Sequence, residues 1–97
     1  MHDGSIAQAD AWLREHLAGY AAWAKTHNSL LVVTWDEDND TPRNRIPTIF
    51  YGAHVVPGRY DELINHYRVL RTIEDIYGLA PAGQSAAYNP IEDVFGP

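Results

Sequence analysis

The sequence predicts an α/β fold with the order helix–strand–strand–helix and a mainly parallel sheet. Two apolar runs carry this prediction, "LLVVTW" at residues 30–35 and "IPTIFY" at residues 46–51, and a segment with helical spacing flanks each of them. The first run is apolar except for Thr34 and β-branched at three positions, which is typical of a strand buried on both faces of a parallel sheet. Helices that alternate with strands through short loops indicate the α/β class.

The first helix is predicted over about residues 7–26. Ser5 and Gln8 match the S-x-x-Q capping box that begins many helices. Beyond them apolar side chains recur at helical spacing, and two tryptophans flank the same stripe. The stripe consists of Ala9, Leu13, Leu17, Tyr20 and Ala24, flanked by Trp12 and Trp23.

The second half of the chain is predicted to form a strand, a helix and an irregular tail. Pro47 stands near the start of the strand at about residues 46–51, where a missing N–H is tolerated. The helix is expected at about residues 65–77, with Gly78 as the residue just past its end, and the tail at residues 78–97. The spacing predicts one apolar face for this helix, made of Leu63, Tyr67, Leu70, Ile73 or Glu74, and Tyr77.

Length, charge and composition narrow the classes of protein. The 97 residues allow one small domain, residues 1–97, and the formal net charge of −6 disfavours nucleic acid or an anionic membrane as a general partner. The chain has no cysteine, which excludes disulfides, thiolate zinc sites and a cysteine nucleophile. No apolar run is long enough to span a bilayer, and the first ten residues lack the features of a signal peptide.

An acidic run directly follows the first predicted strand, within a loop expected at residues 36–45. It reads Asp36, Glu37, Asp38, Asn39, Asp40. In open α/β sheets, ligands bind beyond the carboxyl ends of the strands, so the position suits a site. Like charges packed so closely repel one another unless a cation lies among them.

Three interpretations of this run are open. A solvated loop explains the last three residues well but explains poorly why two acids adjoin a buried strand. An EF-hand-like calcium loop matches at Asp36, Asp38 and Asp40, but Thr41 stands where glycine is needed and Pro47 where glutamate is needed. A hard-cation site would use Asp36 and Glu37 as oxygen ligands, with further ligands from elsewhere.

Three segments also resemble a known family in order and spacing. They are "SLLVVTWDEDND", "NRIPTIFYGAHVVPGRY" and "NHYRVLRTIEDIYGL", and the similarity extends from the N-terminus to about Val94. They resemble the C-terminal part of the bacterial acid phosphatase and phospholipase C phosphoesterase family, in the alkaline-phosphatase-like superfamily. The resemblance implies an α/β/α sandwich, a phosphate ester substrate, one divalent metal ion (Mg, Ca or Mn) and a periplasmic or secreted location.

The resemblance also implies roles for particular residues. Asp36 and Glu37 correspond to the acidic pair that binds the catalytic metal, and His66 and His2 correspond to active-site histidines. The family's upstream Glu-Asn metal-ligand pair and its Ser or Thr nucleophile have no counterpart here. We therefore expect a C-terminal fragment that lacks the nucleophile and is poorly stable by itself.

Two classes of function follow from these expectations. The favoured class is a metal-dependent phosphoesterase that hydrolyses phosphate monoesters, with phospholipase C-type cleavage of diesters as a variant. The alternative is a non-catalytic remnant or a small interaction domain.

Other polar residues have more ordinary interpretations. His54 is expected in local packing or at the rim of a substrate site, and His16 and His27 on the solvent side of the first helix. Arg43 and Arg45 are expected to pair with Asp38 or Asp40, and Arg71 with Glu74 or Asp75.

Overall fold

The structure is a computed structural model that describes residues 3–97, so His2 lies outside the described residues. The described chain is a mixed α/β structure with two α-helices, two strands and one short 3-10 helix. It divides into two compact units, one ending at Val55 and the other beginning at Val56. Among the described residues, no helix is both long and apolar enough to cross a membrane.

Helix α1 spans Ile6–Ala24, where the sequence predicts about residues 7–26. The capping box is present, since Ser5 Oγ accepts from the Gln8 N–H at 3.1 Å and Gln8 Oε1 accepts from the Ser5 N–H at 2.8 Å. The helix contacts both strands of its unit, and Ala24 is its buried residue. Tyr20, predicted in the buried stripe, is 42% exposed but donates its hydroxyl to the Leu30 carbonyl at 3.2 Å.

The two strands form an antiparallel hairpin. Strand β1 spans Leu30–Thr34 and β2 spans Thr48–Gly52, with Leu30 opposite Gly52 and Thr34 opposite Thr48. The prediction of parallel neighbours is therefore wrong for this pair. Residues 35–47 join the strands without a crossover helix, and a parallel pair needs such a crossover.

The burial of β1 also differs from the prediction. Four of its five residues are half-buried and Thr34 is exposed, whereas the apolar run predicted a strand covered on both faces. A two-stranded sheet with one helix packed on it cannot enclose both of its faces. Strand β2 begins one residue after Pro47, which has no N–H to donate to the ladder.

Helix α2 spans His66–Ile76, within the predicted range of about residues 65–77. Asn65 is its N-cap, and the Asn65 side chain accepts from the Arg68 N–H at 3.0 Å. Gly78 follows the helix with φ +63°, as predicted for a residue just past the end. The Gly78 N–H donates to the Asp75 carbonyl at 3.1 Å and the Leu79 N–H to the Glu74 carbonyl at 2.8 Å, which is a Schellman motif.

The buried face of α2 is not the predicted apolar face. The helix buries Val69, Thr72 and Glu74. Glu74, predicted on this face as the alternative to Ile73, is therefore buried. The other residues of the predicted face are 39% to 90% exposed, namely Leu63, Tyr67, Leu70, Ile73 and Tyr77. The physical reason is that the tail, which includes a 3-10 helix at Gly83–Ala87, hydrogen-bonds to the polar side chains of Thr72 and Glu74.

Candidate functional site

Asp36 and Glu37 lie just past the end of β1, separated from its last residue by the half-buried Trp35. Both acidic side chains are exposed to solvent. Adjacent positions after a strand give two carboxylates on a short piece of backbone, which is the arrangement that the sequence predicts for a cation site. The strand end fixes where these two residues leave the sheet.

Asp38 organises the loop that follows. Its carboxylate accepts hydrogen bonds from the N–H of Thr41 at 2.9 Å, from the Thr41 hydroxyl and from the N–H of Arg45 at 3.0 Å. The Asp38 N–H in turn donates to the side-chain oxygen of Asn44 at 2.9 Å. The chain turns through left-handed backbone at Asp40 (φ 56°) and Asn44 (φ 44°), residue types that tolerate this conformation.

The same contacts perturb the acidity of Asp38. The hydrogen bond from the Thr41 hydroxyl is the largest cause, and it lowers the pKa of the Asp38 carboxyl below its ordinary value of 3.8. The backbone N–H groups of Thr41 and Arg45 act in the same direction, because hydrogen bonds to the charged form favour ionisation. Asp38 is therefore an anion that holds the loop together, a role that the solvated-loop interpretation misses.

A signal for this role was present in the sequence. Aspartate side chains in loops commonly accept hydrogen bonds from nearby backbone N–H groups, so an aspartate inside this loop was a candidate for the role. The sequence predicted that Arg45 pairs with Asp38 or Asp40 through its guanidinium. In the structure, the backbone N–H of Arg45 donates to the Asp38 carboxylate at 3.0 Å.

The donor set of Asp36 and Glu37 fits a hard divalent cation in kind but not in number. Carboxylate oxygens suit Mg²⁺, Ca²⁺ and Mn²⁺, each of which takes about six or more ligands. Within residues 3–97 no group of three or more His, Asp or Glu side chains is arranged to hold a metal ion. The carboxylate of Asp38 is bonded to its own loop, so the remaining ligands would come from water, substrate or other residues.

His66 lies in the second unit, as the first residue of α2, directly after the N-cap Asn65. Its side chain is exposed. The N-terminus of a helix carries partial positive charge, which favours an anion such as phosphate near this residue.

The other histidines of the described chain have local partners. His54 Nε2 lies 2.8 Å from the Asn28 side-chain oxygen, which supports the local-packing interpretation. His16 and His27 are exposed, as predicted, although His27 lies beyond the end of α1 and not on the helix. Each ring stacks on a tryptophan four residues earlier, with centroids 4.3 and 4.4 Å apart. Arg71 pairs with Asp75 at 2.8 Å, as predicted. Glu74, the other predicted partner, is buried and accepts a hydrogen bond from Ser85.

The second unit also contains a cavity that does not suit phosphate. Three carboxylates and one guanidinium line it, and the guanidinium is bonded to protein groups. A net negative lining repels an anionic substrate. The lining residues are Glu62, Arg68, Asn89, Pro90, Glu92 and Asp93.

Comparison with known proteins establishes the family. Residues 1–80 match the model of the Phosphoesterase family, so the chain belongs to that family. The matched range includes Asp36, Glu37 and His66, and the family resemblance predicted from the sequence is confirmed.

The chain is also similar to a protein of known name. The chain is 65% identical over 96 residues to a phosphatidylinositol-3-phosphatase of Mycobacterium tuberculosis strain H37Rv. The match covers 99% of this chain and 32% of the relative, so the chain spans about a third of that protein's length. No solved structure matches the chain.

Proposed function

We propose that this chain carries metal-binding and active-site residues of a phosphoesterase that hydrolyses phosphate monoesters. The observation that carries the proposal is the family match over residues 1–80, which spans both the acidic pair and His66. The mycobacterial relative is a phosphatidylinositol-3-phosphatase, and its name favours a monoester over a diester as the substrate of this chain.

Asp36 and Glu37 are the proposed ligands of one divalent metal ion. When bound, such an ion neutralises charge on the phosphate oxygens and lowers the pKa of the attacking group. The two carboxylates, adjacent after β1, would be relieved of their mutual repulsion by the cation. Mg²⁺, Ca²⁺ and Mn²⁺ all accept oxygen ligands, and the proposal covers each of them.

His66 is the proposed acid–base residue. Histidine exchanges protons near neutral pH, so its imidazole can donate a hydrogen bond to a phosphoryl oxygen or a proton to the leaving oxygen. The place of His66 at the start of α2 supports this role, since the helix end favours the negative charge of the substrate. His2 is proposed for the same kind of role.

The remaining parts of the active site are proposed to lie outside this chain. None of the hydroxyls of residues 3–97 is assigned as the nucleophile, and the relative is about three times as long as the matched region. We propose that the hairpin belongs to an alkaline-phosphatase-like α/β/α sandwich in a longer protein, which acts in the periplasm or outside the cell.

Metal binding by the chain itself tests the acidic pair. Titration of the chain with Mn²⁺, followed by electron paramagnetic resonance, should show one site that Mg²⁺ or Ca²⁺ displaces. Asp36→Asn and Glu37→Gln should each weaken Mn²⁺ binding at least tenfold. Asp10→Asn is the matched control, because Asp10 makes an exposed ion pair with Arg14 on α1 and should not alter binding. Equal Mn²⁺ affinity in the unchanged chain and in all three variants would contradict the assignment of Asp36 and Glu37 as metal ligands.

Hydrolysis assays of a longer protein that contains this chain separate the classes of function, because the nucleophile is proposed to lie outside the chain. Release of phosphate from phosphatidylinositol 3-phosphate, lost in His66→Asn and retained in His27→Asn, would support the monoesterase. Cleavage of phosphatidylcholine in preference to phosphatidylinositol 3-phosphate would support the phospholipase C-type variant. Metal binding without turnover of either lipid would favour a non-catalytic interaction domain.

A further inference from the structure

Arg68 makes the most extensive side-chain network of the second unit. Its Nε donates to the Asn89 carbonyl at 3.0 Å and its Nη2 to the Pro90 carbonyl at 2.9 Å. Its Nη1 donates to the Leu63 carbonyl at 3.0 Å and lies 2.7 Å from a Glu62 carboxylate oxygen. All three guanidinium nitrogens are therefore bonded to protein groups, and the side chain is only 14% exposed.

These contacts surround one turn of backbone. Leu63 precedes His66 by three residues, and Arg68 follows it by two. The Arg68 N–H also donates to the side chain of the N-cap Asn65, directly before His66. Arg68 thus ties the chain on both sides of His66, through its guanidinium to Leu63 and through its backbone to Asn65.

The guanidinium also anchors this turn to the tail. The carbonyls of Asn89 and Pro90 lie more than twenty positions along the chain from Arg68, and they supply two of its contacts. Three fixed directions are involved, towards Leu63, the tail and Glu62. A planar guanidinium can satisfy them together, whereas the compact ammonium of lysine cannot.

We infer that Arg68 is a positioning residue, which fixes the backbone that carries His66 at the start of α2. The inference rests on the proposed role of His66 and deepens it, because it names the group that would keep the imidazole in place. Arg68 is not a phosphate-binding arginine, since its nitrogens are bonded to protein groups.

Imidazole signals of the full chain in ¹H–¹⁵N NMR at one fixed pH test this inference without turnover. The His66 signal is assigned by its loss in His66→Asn. In the unchanged protein we expect one sharp His66 signal. Arg68→Lys keeps the positive charge but removes the planar guanidinium with its several N–H donors. We expect this substitution to split or broaden the His66 signal while the melting temperature falls by only a few degrees.

Ser85→Ala provides the matched control in the same unit. Ser85 is fully buried and donates to Glu74 near the other end of α2, and it makes no hydrogen bond to Arg68. We expect Ser85→Ala to lower the melting temperature at least as much as Arg68→Lys but to leave the His66 signal sharp. Arg68→Met should disturb the signal as Arg68→Lys does.

Two results would overturn the inference. One is a His66 signal in Arg68→Lys identical to that of the unchanged protein. The other is equal disturbance by Ser85→Ala, which would mean that His66 follows the overall stability of the unit. Absence of phosphatase activity in a longer protein that contains this chain, together with a disturbed His66 signal in Arg68→Lys, would instead refute the proposed function and leave the positioning role intact.

Discussion

Different kinds of contact stabilise the interior of each of the two units. In the unit that ends at Val55, strand pairing between β1 and β2 and the contacts of α1 with both strands dominate. In the unit that begins at Val56, buried polar side chains of α2 bind the backbone of the tail, through Thr72 and Glu74. The first unit relies on backbone geometry, and the second relies on individual side chains.

The same difference applies to the two proposed functional regions. The acidic loop is fastened by Asp38, whose partners lie within seven residues and are exposed to solvent. The start of α2 is fastened by the partly buried Arg68, whose partners include carbonyls more than twenty residues away. The acidic loop can therefore order locally, whereas the position of His66 depends on the tail.

The largest expected effect is the loss of the hairpin in Gly52→Ala. A Cβ at Gly52 would overlap the Ser29 carbonyl oxygen, which is backbone and cannot move without disturbing β1. We expect the free energy of unfolding of the first unit to fall by about 3 kcal/mol, measured by amide hydrogen exchange in β1 and β2. Protection of amides in α2 should change little.

Gly19→Ala is the control for this substitution. A Cβ at Gly19 meets no atom within 4 Å, and the residue lies within α1. Alanine is the better helix former, so the first unit should gain up to about 1 kcal/mol. If Gly52→Ala were as well tolerated as Gly19→Ala, backbone geometry would not control the first unit.

The second unit should be most sensitive at Thr72. Its hydroxyl donates to the Arg68 carbonyl at 2.7 Å and accepts from the Ile91 N–H at 2.8 Å. Thr72→Val keeps the shape but leaves the buried Ile91 N–H without a partner. We expect a loss of about 2 kcal/mol in the free energy of unfolding, measured by hydrogen exchange at amides of α2 and the tail.

Thr34→Val makes the same substitution at an exposed position. The Thr34 hydroxyl lies 2.9 Å from that of Thr48 across the hairpin, where water can replace the lost bond. The change in stability should therefore stay within about 0.5 kcal/mol. Equal effects at Thr72 and Thr34 would show that side-chain contacts do not distinguish the two units.

Local patterns in the sequence were sufficient for the helix ends. The pair Ser5 and Gln8 predicted the capping box, and Gly78 predicted the Schellman end of α2, because both motifs depend on residues a few positions apart. The acidic pair after β1 could also be located, because its position depends only on where an apolar run stops.

Contacts between distant parts of the chain could not be predicted in this way. The spacing predicted Tyr67 and Leu70 on the inner face of α2, but the tail bonds to Thr72 and Glu74 and leaves Tyr67 and Leu70 exposed. Hydrogen bonds from Arg68 to the tail leave no periodic signal. The direction of β2 was missed for a similar reason, since an apolar run does not record the orientation of the neighbouring strand.

The smallest expected effect concerns the acidic loop, and its sign follows from the pKa of Asp38. Because hydrogen bonds from Thr41 and Arg45 lower this pKa in the folded loop, they contribute most above the ordinary value of 3.8. The contribution is lost as the pH falls through the lower folded value. In metal-free buffer, the amide NMR signals of Thr41 and Arg45 should therefore shift together as the pH falls, with a midpoint below pH 3.8. Over the same pH range, hydrogen-exchange protection of the α2 amides should change equally in the unchanged protein and in Asp38→Asn.

Asp38→Asn is the control for this titration. It should abolish the shared midpoint, because the asparagine side chain does not ionise. A midpoint above pH 3.8, or one that persists in Asp38→Asn, would mean that the Asp38 carboxylate does not order the loop. The acidic loop would then not differ from the start of α2 in being held by local contacts.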